Sequence, residues 1–137
     1  MRDGITALDV VEALAKAAVT ANTNGLAVDL LGSNAVGFTV FVDNTGDTLS
    51  ASNTFTVSFE EADDNGSGAP GTWSAVPAAK VTGDTAVVAK NAKYEVGCLS
   101  IKRWVRLVLT AAGTHTSGSG ISAVAVRSRL QTEGKGW

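Results

Sequence analysis

The sequence predicts an all-β protein, a single-domain antiparallel β-sandwich of about eight strands with a short N-terminal helix or arm. Three observations carry this. The chain of 137 residues is 45% hydrophobic, but its apolar set is mostly Val and Ala, few residues are aromatic, and 15 Gly accompany many Thr and Ser. Val and Thr suit a pleated, half-buried surface, while Gly, Asn, Asp and Ser supply turns. Two segments, 53–61 and 103–110, alternate apolar and polar side chains cleanly. Turn clusters recur at short, regular spacing, and no repeat of 20–50 residues suggests a propeller or solenoid.

Residues 5–18 (ITALDVVEALAKAA) have a helical period, with Ile5, Leu8, Val11, Leu14 and Ala18 on one stripe. Thr6 and Asp9 resemble a capping box. The segment is short and carries β-branched residues, so two readings are open: a short helix, or an arm that takes its conformation from a partner. Residues 1–20 are therefore set apart as an arm, 21–131 as the sandwich and 132–137 as a tail. The strand pattern begins after Asn22-Thr23-Asn24 with Gly25–Leu31. Ala35–Val42 (AVGFTVFV) is nearly all apolar and reads as a central strand covered on both faces.

Asn53–Glu61 follows, with Phe55, Val57 and Phe59 on one face. The run Asp63 to Gly71 is a hairpin connection to Thr72–Val76. Thr85–Ala89, Tyr94–Ile101, Arg103–Thr110 and Ile121–Arg129 complete the set, and a Gly/Ser/Thr loop around His115 reads as flexible. The expected core is Phe38, Val40, Val42, Phe55, Val57, Phe59, Val105, Leu107 and Val124.

The formal net charge is −2 but is unevenly spread. Residues 1–68 hold two basic and ten acidic side chains; residues 69–137 hold nine basic and three acidic. Either folding interleaves the halves, or complementary surfaces meet between copies of the chain. Nothing in this balance points to nucleic acid or to an anionic membrane. No apolar run is long enough to span a bilayer, and the start lacks the apolar core of a signal peptide.

Chemistry-bearing constellations are sparse. Cys98 stands alone among Val96, Gly97 and Leu99, so it reads as a small core residue and excludes an intrachain disulfide. His115, the single histidine, reads as a surface residue without a role, which removes the usual general base. Asp63, Asn65 and Ser67 alternate as calcium-loop ligands do, but the twelfth position is Ser74 and the flanks are strands, so a hairpin turn is the better reading. No Gly-rich piece fits a phosphate loop. Lys102-Arg103-Trp104-Val105-Arg106 puts basic residues around one aromatic, with Trp104 and Arg106 on one face and Arg103 opposite. A structural strand fits it better than a nucleic-acid platform. No metal or organic cofactor and no catalytic residue is expected.

The segment FTVSFEEADDNGSGAPGTWSAV (55–76), and the later KRWVRLVLTAAGTHTSGSGISAVAV (102–126), resemble the jelly-roll head decoration (cement) proteins of tailed phages and related head-like particles. The resemblance spans roughly residues 20–130 and transfers no residue-level binding motif. It implies a β-sandwich that assembles as a homotrimer, partners the major capsid protein and clamps its subunits on the outer surface of the virion. The expected role is therefore non-enzymatic, with neither nucleic acid nor membrane as a partner. Candidate capsid or subunit contacts are Ile5, Leu8, Val11, Leu14, Arg103, Arg106 and Trp137. The apolar stripe of residues 1–20 either docks on a neighbour or caps an open end of the same sandwich. The runner-up readings are a carbohydrate-binding module, in which Trp73, Trp104 or Trp137 would stack on sugar, and a head-fibre or tail component.

Overall fold

A computed structural model describes residues 8–30, 33 and 35–128. In chain order the strands are β1 (Leu8–Val19), β2 (Thr23–Asn24), β3 (Val28–Asp29), β4 (Ala35–Gly46), β5 (Thr54–Ala62), β6 (Ser74–Ala75), β7 (Val81–Gly83), β8 (Ala86–Val87), β9 (Ala92–Leu99), β10 (Trp104–Ala112) and β11 (Ser119–Ser128). All pairings are antiparallel. The first sheet runs β1-β11-β4-β9-β7, the second β2-β10-β5-β6, with β3 also on β10 and β8 also on β5. Taking β2 with β3, and β6 with β8, as interrupted strands, the sheets share out alternate parts of the chain as a jelly roll does.

The sheets are built from strands that obey a period of two. On β5 Phe55, Val57 and Phe59 are buried; on β10 it is Val105, Leu107 and Leu109, and on β9 Tyr94, Val96 and Cys98. These side chains meet Val36, Phe38, Val40 and Val42 of β4 in one apolar layer. Phe38 and Phe59 span the layer from opposite sheets, with ring centroids 4.7 Å apart and planes tilted by 42°. Cys98 lies in this layer, where burial pushes its thiol up to about 11 and the charge of Glu61 adds to the effect.

Four expectations need correction. The helix expected within residues 5–18 is instead a strand over its described part, since β1 pairs with β11 from Leu8↔Ser128 to Val19↔Ser119. Register shifts between Glu12 and Leu14 and between Leu14 and Ala17 insert extra residues. Such bulges break the period of two, so Val11 and Leu14, three positions apart, both face the core as on a helical stripe, while Ala18 is exposed. Val11 packs against the same core, so this segment lies on the sandwich. Second, β4 is covered on one face only: Gly37 and Phe41 are exposed on the other, Phe41 at 44%. Third, β11 turns Ile121, Ala123 and Ala125 inward, leaving Val124 half-buried on the outer face.

Fourth, His115 is buried. Its ring lies 4.2 Å from that of Phe55, and its Nε2–H donates to the Ala112 carbonyl at 3.0 Å. The surrounding loop is tied down, because Asp47 Oδ2 accepts the amides of Ser117 (3.0 Å) and Gly118 (2.9 Å). Gly46 makes that closure possible. Its φ is +77°, and a Cβ there would lie 1.7 Å from the Gly118 carbonyl oxygen.

Truncating Phe59 to Ala should cost about 3–5 kcal/mol in urea denaturation, because it opens the centre of the layer. Deleting residues 1–20 should abolish cooperative thermal unfolding, since β11 loses one of its two neighbours and becomes an edge strand, and the core loses Ala13, Leu14 and Val19. A truncated chain that melts like the full chain would contradict the placement of β1.

Candidate functional site

Of the sequence-predicted contact residues, Arg103 and Arg106 lie together at one end of the second sheet, where β10 starts, β5 ends and the 63–71 hairpin folds over both. Pairing of Trp104↔Ala62 and Arg106↔Glu60 sets the register, and β3 brings Asp29 opposite Trp104. Arg103 precedes β10, so the pleat does not fix the direction of its side chain. Its guanidinium grips Asp29 as a fork, Nε to Oδ1 at 3.0 Å and Nη2 to Oδ2 at 2.9 Å. Nη1 reaches Asp64 Oδ1 at 3.3 Å. The guanidinium also lies 5.1 Å from the centre of the Trp104 ring. Alternation placed Arg103 and Trp104 on opposite faces; the structure brings them together.

Asp64 is the hub of the hairpin. Its Oδ1 accepts the Trp104 indole N–H at 3.2 Å, and its Oδ2 accepts the amides of Gly66 at 2.9 Å and Gly68 at 3.3 Å. These bonds favour the charged form. The Trp104 hydrogen bond most of all, then the two amides and the charge of Arg103, holds the carboxyl below its ordinary 3.8. Asn65 Oδ1 likewise caps Ser67, at 2.9 Å to the amide and 2.7 Å to the hydroxyl. A calcium loop aims oxygens inward. In this hairpin amide hydrogens point at the oxygens instead, and the residues form a turn.

A second arginine completes the patch. Arg106 donates Nε and Nη2 to Glu60 Oε1, at 3.1 and 2.8 Å, and lies 4.4 Å from the centre of the Trp73 ring. Lys102 bridges to Asp63 at 3.8 Å and donates to Ser74 Oγ at 3.3 Å. Beneath them Ser100 donates to buried Glu61 at 2.5 Å. One face of each tryptophan thus carries a guanidinium and both residues are half-buried, so neither is a bare platform for a sugar.

The remaining candidates sit elsewhere. Leu14 is buried and Val11 partly buried on β1, while Leu8 is placed only by its backbone pairing. Ile5 and Trp137 lie outside the described residues. Arg127 grips Asp9, Nε at 3.1 Å and Nη2 at 2.8 Å. With Arg103–Asp29, Arg106–Glu60 and Lys102–Asp63, this pairs the basic half of the chain with the acidic half internally. Among the described residues no group of three His, Cys, Asp or Glu is arranged to hold a metal, and no helix is long and apolar enough to cross a membrane. Sequence reasoning missed Asp29, Asp64 and Glu60 as partners because nothing local marks a contact that the fold makes across 39–74 positions.

Asp43 is the other shifted carboxylate. The Thr45 hydroxyl, then Lys16 at 2.9 Å and the Thr45 amide, hold it far below its ordinary value. Both aspartates bind a proton more weakly folded than unfolded, so their stabilisation is present above the ordinary 3.8 and is lost as pH falls through the lower folded values. The melting temperature should drop steeply below that pH, and less steeply in Asp64→Asn and Asp43→Asn. Equal slopes in all three proteins would contradict it.

No family model matches the chain, and no curated protein matches it. Among solved structures it is similar to the SPBc2 prophage-derived protein YomS, at 11% sequence identity and a TM-score of 0.47, over 89% of this chain and 93% of that one.

Proposed function

We propose that the chain is a non-enzymatic virion structural protein, a decoration (cement) protein that binds the outside of a phage head and stabilises contacts between major capsid subunits. The observation that carries this reading is the position of the two segments that resemble decoration proteins. Residues 55–76 and 102–126 are neighbours in space: β5 pairs with β10 along its full length, and the hairpin that follows β5 closes over the start of β10. Across that pairing Asp64 meets Arg103 and Trp104, and Glu60 and Trp73 meet Arg106, so the two segments lie together.

The chemistry of that network favours contact over catalysis. A general base needs a free acceptor within reach of a substrate proton. Asp29 and Asp64 instead share Arg103, Glu60 holds Arg106, and the one histidine packs on Phe55. Internal pairing also takes up Lys102, Arg103, Arg106 and Arg127 of the basic half, which leaves a contact between copies to draw on other groups.

Full-length protein mixed with heads of the encoding phage prepared without it should sediment with them. The heads should then resist heat or chelator to a higher threshold. Protein that stays in the supernatant, or binds without changing the threshold, would overturn the proposal; retention on immobilised glycans in that case would favour the lectin-like reading.

A further inference from the structure

The outer face of the first sheet is laid out in rows across the strands. One row is Val10↔Val126↔Gly37↔Gly97↔Thr82, and the next is Glu12↔Val124↔Thr39↔Glu95. A third joins Ser122↔Phe41↔Lys93, with Lys16 beside them. The first row contains a hollow. Gly37 and Gly97 face each other without side chains, and with Thr39, Thr82, Glu95 and Val126 they line a depression of about 300 Å³. Nothing inside the fold requires Gly37: its φ is not positive, and a Cβ there would meet nothing nearer than the Val126 oxygen at 4.0 Å. Glycine within a strand weakens it and often marks close approach by another body.

The same face carries a knob. Phe41 is 44% exposed, the one aromatic among the large exposed hydrophobics described, and Val10 is 62% exposed. The charges are ordered as well: Glu12 and Glu95 stand in one row, Lys16 and Lys93 in the adjacent one. Knob, hollow, acidic row and basic row on one surface are the ingredients of a self-complementary contact.

We propose that this face docks on its own counterpart in a second copy of the chain, as a two-fold dimer. The axis lies in the plane of the face, across the strands, between the Glu12–Glu95 row and the Phe41–Lys93 row. That operation sets Glu95 against Lys93 of the second copy and Glu12 against Lys16 of the second copy, whose exposed ammonium would then lie between Glu12 and its own Asp43. Each Phe41 ring comes to the Thr39 lip of the other copy's glycine hollow. Lys93 and Glu95 are both well exposed and 3.5 Å apart within one chain, so they can exchange partners across the interface. Four strands (β1, β11, β4 and β9), each about 4.8 Å wide, over about eight residues of ~3.3 Å, offer roughly 500 Å² per copy; about 1,000 Å² in total is the lower bound for a specific interface. The contact is isologous, which distinguishes it from the trimer that the family resemblance implies, and it does not depend on what the protein attaches to.

Sedimentation velocity of the full chain over a range of concentrations tests this. A reversible dimer is expected. Gly37→Val should fill the hollow and Phe41→Asp should charge the knob, each leaving a monomer where the wild type is dimeric. Gly37→Val should at the same time keep or raise the melting temperature, which separates lost docking from lost folding. Glu95→Lys should weaken the dimer, and the exchanged pair Lys93→Glu/Glu95→Lys should restore it. A monomer at every concentration, a trimer, a dimer indifferent to Gly37→Val and Phe41→Asp, or an exchanged pair that does not restore association would overturn the proposal.

Discussion

One apolar layer between two antiparallel sheets carries the structure, and the Phe38–Phe59 contact sits across it. Burial of that layer is the main favourable term available to a chain with no disulfide and no described α-helix. It fixes register, because a slip of one residue on β5 or β10 would turn Phe55, Val57 and Phe59, or Val105, Leu107 and Leu109, out to solvent. It also accounts for β1. Only with that strand on β11 are Ala13, Leu14 and Val19 covered.

What was legible in the sequence follows from the same constraint. β5 and β10 carry a strict alternation, and turn residues bound them, so each was readable within a residue or two of its limits. The all-β sandwich class followed from such strands in series, and the jelly roll from the resemblance alone. Reading failed where the period was disturbed or ambiguous. Bulges gave β1 a helical spacing, and the small residues of β11 hid which face was inward. In β4, Gly37, Thr39 and Phe41 looked as apolar as the buried Val36, Phe38 and Val40. His115 was unreadable for another reason, since the ring that receives it, Phe55, is sixty positions away.

The candidate site was half legible. The types and the hairpin could be found, namely Trp73, Trp104, Arg103, Arg106 and the Asp63–Gly68 turn. The pairing could not, because it depends on which strands become neighbours. Once Asp29, Glu60 and Asp64 are placed, the patch changes meaning. Exposed arginines beside tryptophans suggest a ligand surface; arginines held by carboxylates, Arg103 in a fork, with the rings against them, make a brace between hairpin and sheet. Charge used in this way leaves the outer face of the first sheet as the surface that exposes Val10 and Phe41 beside solvent-facing ion pairs, and this is where a contact protein would be expected to make its contacts.

The structure requires that β1 (Leu8–Val19) belong to the same cooperative unit as β11. Hydrogen exchange read residue by residue measures this directly. The hydrogen-bonded amides of β1 between Asp9 and Leu14 should be protected to nearly the level of their partners between Ala123 and Arg127, because both open only when the sandwich opens. Amides of β1 that exchange as fast as solvated chain, beside a protected β11, would contradict it.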